Sequence, residues 1–200
     1  MGLEELWAEV TPPAARKLLI AATHAFAERG YHATTTRDVA SRAGMSPAAV
    51  YIHYPTKEDL LFHISRLGHR GALDVLNNAA TSSDDPAQCL QVAVREFAGW
   101  HARFHTTGRV VQYELSALAP AHFGEIVEFR REIERTMRAV VDRGIRSGQF
   151  TVADPAGTTL AILSLCIDVA RWFRADGKRS PAQIGEVYAE LVTRMVGATQ

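Results

Sequence analysis

Between Thr34 and Asp59 the sequence TTTRDVASRAGMSPAAVYIHYPTKED sets small and donor-bearing side chains at spacings suited to gripping a polyanion. Tyr51 and His53 carry polar tips able to donate to phosphate oxygens, and Lys57 follows in the first turn of another helix start. Ala48 and Ala49 are small and close to a helix N-terminus, so the backbone there can approach base edges and a methyl can meet a thymine methyl. Candidates for bond-making chemistry are scattered by comparison. His101 and His105 stand four apart, with His122 further along, a spacing that can hold a metal. No third ligand accompanies them, there is no HExxH, and no glutamate stands three residues before a histidine. Nor is there a nucleophile elbow, a phosphate loop or a dinucleotide-binding glycine set. The expectation is therefore a non-enzymatic protein with no metal and no cofactor.

The elements that must position these residues are short and well marked. Thr35 followed by Asp38 fits the reciprocal capping box, so a helix starts there with Val39, Ala40 and Ala43 on its apolar side. Gly44 supplies the residue that can take a positive φ and reverse the chain. Ser46 then offers an N-cap oxygen, and Pro47 sits at the first helical position, where its missing N–H costs nothing. Thr56 caps the next helix, with Asp59 as its return partner. Two short helices joined by a three- to four-residue turn containing glycine form the geometry that lays a second helix in the DNA major groove. The bland alternative is a helical corner with an ordinary surface tyrosine and lysine.

Resemblance decides between these readings. From Arg16 to Leu61 the sequence resembles the N-terminal domain of the TetR family of one-component transcriptional regulators. Arg16–Tyr31 carries the pattern R-x-L-L-x-A-A-x-x-x-F-A-E-R-G-Y. It continues from Thr34 as T-T-x-R-D-V-A-x-x-A-G-x-S-x-x-x-V-Y-x-H-Y-x-x-K-E-x-L-L, with unbroken spacing. The resemblance implies DNA contacts from Thr35, Thr36, Arg37, Ser46, Pro47, Ala48, Ala49, Tyr51, His53, Tyr54 and Lys57. Tyr54 departs from the phenylalanine more usual there, and its ring can still pack beneath the motif. Pro47, Ala48 and Ala49 fall where members vary freely, so the operator sequence does not carry over.

Lys plus Arg and Asp plus Glu both number 22 among 200 residues, so the whole molecule is no indiscriminate polyanion binder. The balance is local. From Ala14 to Lys57, Arg16, Lys17, Arg29, Arg37, Arg42 and Lys57 face only Glu28 and Asp38. Cys89 and Cys166 lie far apart in apolar helical patterns and read as small buried hydrophobes in a reducing cytosol. No run is apolar enough for a signal peptide or a membrane span, so the expected location is cytoplasmic with no membrane partner.

Thr11-Pro12, Ser46-Pro47, Asp85-Pro86, Asp154-Pro155 and Ser180-Pro181 each pair a capping side chain with a proline, which marks five helix starts. Apolar residues between them recur at three and four, and nothing alternates as a strand would. The pattern predicts an all-α fold of about nine helices. We divide it into a helix-turn-helix DNA-binding domain over 12–60 and a ligand-binding and dimerisation domain over 61–200. One helix should run from Pro12 to Arg29, and one from Thr56 should fray at Thr81-Ser82-Ser83. Another should run from Pro86 to about His105, be broken by Thr106, Thr107 and Gly108, and be followed by a shorter helix from Arg109 to about Leu118.

The last two helices are different in kind. Leu160, Ile162, Leu163, Leu165, Cys166, Ile167, Val169 and Ala170 are apolar nearly all round, and a helix without a wet face needs cover on both sides. A partner chain is the natural source of that cover, and TetR-like proteins build a four-helix dimer bundle there. The expected interface includes Leu163, Ile167, Arg171, Val187, Leu191 and Met195. A homodimer carries two reading heads, and half-sites ~34–36 Å apart then demand a near-palindromic operator. Phe97, Trp100, Phe104, Tyr113, Met137 and Trp172 could line an apolar effector pocket or fill a dry core. Arg171-Trp172-Phe173-Arg174 loosely resembles the ends of members that respond to acyl-CoA or lipid-like molecules; surface or interface arginines are the plainer reading. The sequence thus predicts a repressor released from double-stranded DNA by a small effector. The competing class is a helical ligand-binding protein or enzyme whose N-terminal resemblance no longer serves DNA.

Overall fold

The computed structural model describes residues 2–198 and is helical throughout. In chain order the helices are α1 (Leu3–Leu6), α2 (Pro13–Arg29), α3 (Thr36–Arg42), α4 (Pro47–His53), α5 (Lys57–Ala80), α6 (Pro86–Arg103) and α7 (His105–Tyr113). A single 3-10 turn, Leu115–Ala117, leads to α8 (Pro120–Arg146), α9 (Pro155–Trp172) and α10 (Pro181–Met195). Four of the five marked starts behave as capping chemistry requires: Ser46, Asp85, Asp154 and Ser180 each accept from a backbone N–H in the first turn of α4, α6, α9 and α10. Thr11 does not. The N-cap of α2 is Pro12, and no side chain bonds to that helix start.

The chain folds as two compact units. The first holds Met1–Arg70 with Thr106–Val127, and the second holds Gly71–His105 with Glu128–Gln200. In the first, α2 packs on α3 and α4, and Leu18, Leu19, Ala22, Ala25 and Phe26 of α2, Val39 and Ala40 of α3, Val50 of α4 and Leu60, Leu61 and Ile64 of α5 are all buried. α7 belongs here from Thr106 onward. Thr106, Thr107 and Gly108 lie inside α7 and do not break the chain as the sequence suggested. The reason is packing: a Cβ placed on Gly68 would stand 3.1 Å from Thr107 Cγ2, so two small residues serve a close helix crossing.

In the second unit α6 packs along α10 and α9, with Leu90, Val94, Phe97, Ile133, Met137, Val140, Val141, Ile162, Cys166, Val192 and Val196 in one continuous core. Gly185 of α10 lets the two helices touch: a Cβ there would lie 2.4 Å from the Arg95 carbonyl oxygen. Both cysteines are buried, and burial pushes the Cys166 thiol up to about 12. Among the described residues no helix is long and apolar enough to cross a membrane.

Candidate nucleic-acid interface

Local chemistry builds the reading head. Thr35 Oγ1 accepts from the Asp38 N–H, and Asp38 Oδ2 accepts from the Thr35 N–H at 2.8 Å, closing the capping box of α3. The hydrogen bonds from the Thr35 side chain and backbone hold the Asp38 carboxyl below the usual carboxylate range. Gly44 turns the chain at φ 66°, a left-handed conformation that a side chain would strain. Ser46 Oγ accepts from the Ala49 N–H at 3.3 Å and α4 begins.

α4 shows two distinct sides. Val50 is fully buried, and Tyr54 just beyond the helix is 3% exposed, its hydroxyl donating to the Ala15 carbonyl at 3.2 Å. That burial pushes the Tyr54 phenol up to about 12. Tyr54, counted above among the DNA-binding residues, is therefore spent on bracing α2 and does not reach the surface. The other side is open. Pro47, Ala48, Tyr51 and Ile52 are exposed, with Ile52 at 78%. Ile52 was missed in the sequence because an apolar residue beside Val50 reads as core. The Tyr51 hydroxyl meets Thr36 Oγ1 at 2.9 Å, so α3 and α4 share one polar edge. Arg37 is exposed at the start of α3, whereas Arg42 is held by Glu28 at 2.7 Å and Arg29 lies 3.5 Å from Asp38.

Lys57 is turned further inward than a phosphate-seeking lysine needs to be. Its ammonium donates to the carbonyls of Tyr31 and Thr34, both at 2.9 Å, and sits 4.2 Å from the Tyr31 ring centroid. One N–H remains for a phosphate. Lys57→Met keeps the stem but strips two part-buried carbonyls of their donor, so a loss of about 1–3 kcal/mol in stability is expected in urea melts. An unchanged melt together with a salt slope reduced by about one would instead make phosphate binding its main role.

The remaining sequence candidates separate. Phe97 and Met137 are fully buried in the core of the second unit, with Trp100 packed against it and Phe104 5.2 Å from the Trp100 ring. Tyr113 belongs to the first unit and is 58% exposed; Trp172 is exposed on α9. The six do not form one group. Of the interface candidates, Leu163 packs into the chain's own core, a correction to its assignment, while Ile167 and Val187 are half-buried and Leu191 and Met195 are exposed. Leu160 and Leu165 are exposed on the same pair of helices. Arg171 forms a two-bond pair with Asp168, and Arg174 pairs with Asp176. His101 Nδ1 lies 2.8 Å from the Phe97 carbonyl and His105 Nδ1 2.9 Å from that of Ala102, so both rings are anchored to their own backbone.

Among the described residues, metal-type ligand atoms converge at Glu58, Asp59 and His122. These groups are already engaged. Asp59 Oδ2 caps Thr56 of the α5 start, and Glu58 accepts from the Ala119 N–H at 2.8 Å while both its oxygens lie 2.9 Å from His122 Nδ1. The arrangement is a hydrogen-bonded joint.

Comparison with known proteins then settles the family. Residues 18–64 match the family described as bacterial regulatory proteins, tetR family, and residues 83–196 match the tetracyclin repressor-like C-terminal domain. The chain belongs to the TetR family. The HTH-type transcriptional repressor KstR2 of Mycobacterium tuberculosis is 30% identical over 184 residues, 88% of this chain and 89% of the relative. A regulatory protein of the tetR family from Rhodococcus RHA1 superposes with a TM-score of 0.89 at 40% identity, over 95% of this chain and all of the other. The solved ketosteroid transcriptional regulator KstR2 of M. tuberculosis gives 0.86 at 26% identity, over 96% and 97%. This TetR-family chain is a DNA-binding transcriptional regulator, with α3 and α4 as its helix-turn-helix.

Proposed function

We propose that this TetR-family regulator is a cytoplasmic repressor that holds a near-palindromic operator as a homodimer and leaves it when a small apolar effector binds. Residues 12–60 act as the DNA-binding domain and residues 61–200 as the ligand-binding and dimerisation portion, with no catalytic step assigned to either. The observation that supports DNA reading most is the α4 surface, where Ala48, Tyr51 and Ile52 stand exposed on a helix whose other side is locked into the fold. Exposed Leu160, Leu165, Leu191 and Met195 on α9 and α10 supply the apolar area that a second copy would cover. For the effector we favour an acyl-CoA or another lipid-like or steroidal molecule. The steroidal class is supported by kinship with KstR2, a repressor whose solved structure is described as that of a ketosteroid regulator, and the acyl-CoA class by the resemblance of Arg171-Trp172-Phe173-Arg174 noted in the sequence. Of the core aromatics, Trp100 is only partly buried against the second unit's core, which favours it over the fully buried Phe97 as a residue facing the effector.

The test is a gel shift with DNA from the promoter region beside the protein's own gene, challenged with palmitoyl-CoA and with a steroidal acyl-CoA. Retarded DNA that is freed by one of these supports the reading. Binding that survives every such molecule removes the switch, and no retardation removes the operator. Within the head, Ala48→Asn should change the preferred base at one or two positions per half-site by about tenfold while leaving the salt slope intact, read from selection on randomised operators. An unchanged preference would place Ala48 away from the bases.

A further inference from the structure

Two carboxylates tie the reading head to the corner between α7 and α8, and they do so in opposite directions. Glu58, in the first turn of α5, reaches the corner: it accepts from the Ala119 N–H at 2.8 Å and faces His122 Nδ1 with both oxygens at 2.9 Å. Glu114, at the end of α7, reaches back and accepts from the Tyr31 N–H at 3.0 Å, just beyond α2. The His122 ring stacks on Phe62 of α5 at 3.7 Å with 5° between the planes, and Arg66 lies 3.5 Å from Glu125 one turn further along both helices. All of these residues belong to one compact unit.

The joint sits where orientation is decided. The head leaves through α5, a single rod about whose axis it could turn. Glu58, with Phe62 of α5 beside it, also fastens the head to the start of α8, a helix that continues unbroken to Arg146, and Glu114 fastens it to the end of α7. One attachment fixes a position; a second, off the rod's axis, fixes a rotation. Charge-assisted bonds of this kind are strong and directional, and the Glu58 and His122 side chains are only 21% and 31% exposed. A dimeric reader must present two α4 helices at one separation, and any freedom in the heads is entropy lost on binding.

We propose that Glu58 and Glu114 are positioning residues that lock the orientation of the reading head against the α7–α8 corner and thereby set the half-site spacing the protein accepts. The inference rests on the operator reading above. It is tested with a selected operator, with versions whose half-sites are moved by one base pair either way, and with a single half-site, all measured by fluorescence anisotropy. The double variant Glu58→Ala, Glu114→Ala should bind the optimal operator about tenfold more weakly, yet bind the shifted versions as the wild type does, so that spacing preference flattens. Single half-site affinity should not change, because the α4 surface is untouched. Glu58→Gln keeps an oxygen for the Ala119 N–H and should restore most of the preference lost in Glu58→Ala. A folded double variant with wild-type spacing preference overturns the proposal. So does a loss of single half-site affinity by the same factor, which would make the carboxylates supports of the head's own fold. Wild-type protein that binds no two-half-site DNA sinks the operator reading, and this inference with it.

Discussion

Leu191→Glu is expected to turn the protein into a monomer and to weaken operator binding by about 10²–10⁴-fold while leaving single half-site affinity unchanged. Five of the large apolar side chains with exposed area, Leu160, Leu165, Trp172, Leu191 and Met195, belong to α9 and α10, and Leu191 is 47% exposed. Covering such a side chain contributes about 1.5–3 kcal/mol, and two copies contribute twice in a symmetric interface. A carboxylate placed there reverses the sign, because it must be desolvated without a partner. Its fold cost is small, since the side chain faces outward. Sedimentation and anisotropy measured together separate the outcomes. A Leu191→Glu protein that remains dimeric places the partner surface elsewhere.

Gly185→Ala should be strongly damaging to the second unit. The added carbon would stand 2.4 Å from the Arg95 carbonyl oxygen, and that oxygen belongs to the backbone of α6 and cannot swing aside. α10 must then move off α6, opening the core that Ala189, Val192 and Val196 share with Leu90, Val94 and Phe97. A loss of about 3 kcal/mol follows from overpacking of this kind, and in a chain of this length that lowers the melting midpoint by about 10 °C. Because α10 also carries Leu191 and Met195, weaker self-association should accompany the lower midpoint. A melting curve matching the wild type would mean that the helices reseat without cost.

What the sequence made legible was what local chemistry determines. Thr35 answers Asp38 within three residues, and Ser46 and Ser180 each cap a first turn that opens with a proline, so residue type and spacing suffice to place α3, α4 and α10. The all-α fold follows equally from periodicity. What escaped was decided by residues far apart in the chain. Lys57 looks like a phosphate lysine until Tyr31 and Thr34, 26 and 23 positions away, turn out to hold its ammonium. Glu58 and His122 are 64 residues apart, and neither carries a signal that it will meet the other. Thr106 to Gly108 has turn composition, yet Thr107 sits against Gly68, and tertiary packing overrides a local preference. Leu163 and Leu165 look alike on an all-apolar helix, and only the packed core separates the first from the exposed second.

The central claim is that two copies of α4, presented by one dimer, enter successive major grooves on one face of a palindromic duplex. Methylation interference on a selected operator tests it most directly, because methyl groups at guanine N7 lie in the major groove. The account predicts two symmetric clusters of interference one helical turn, ~34–36 Å, or a whole multiple of it apart, both weakened by changes at Ala48 or Tyr51. A single cluster, or clusters on opposite faces of the duplex, would contradict it.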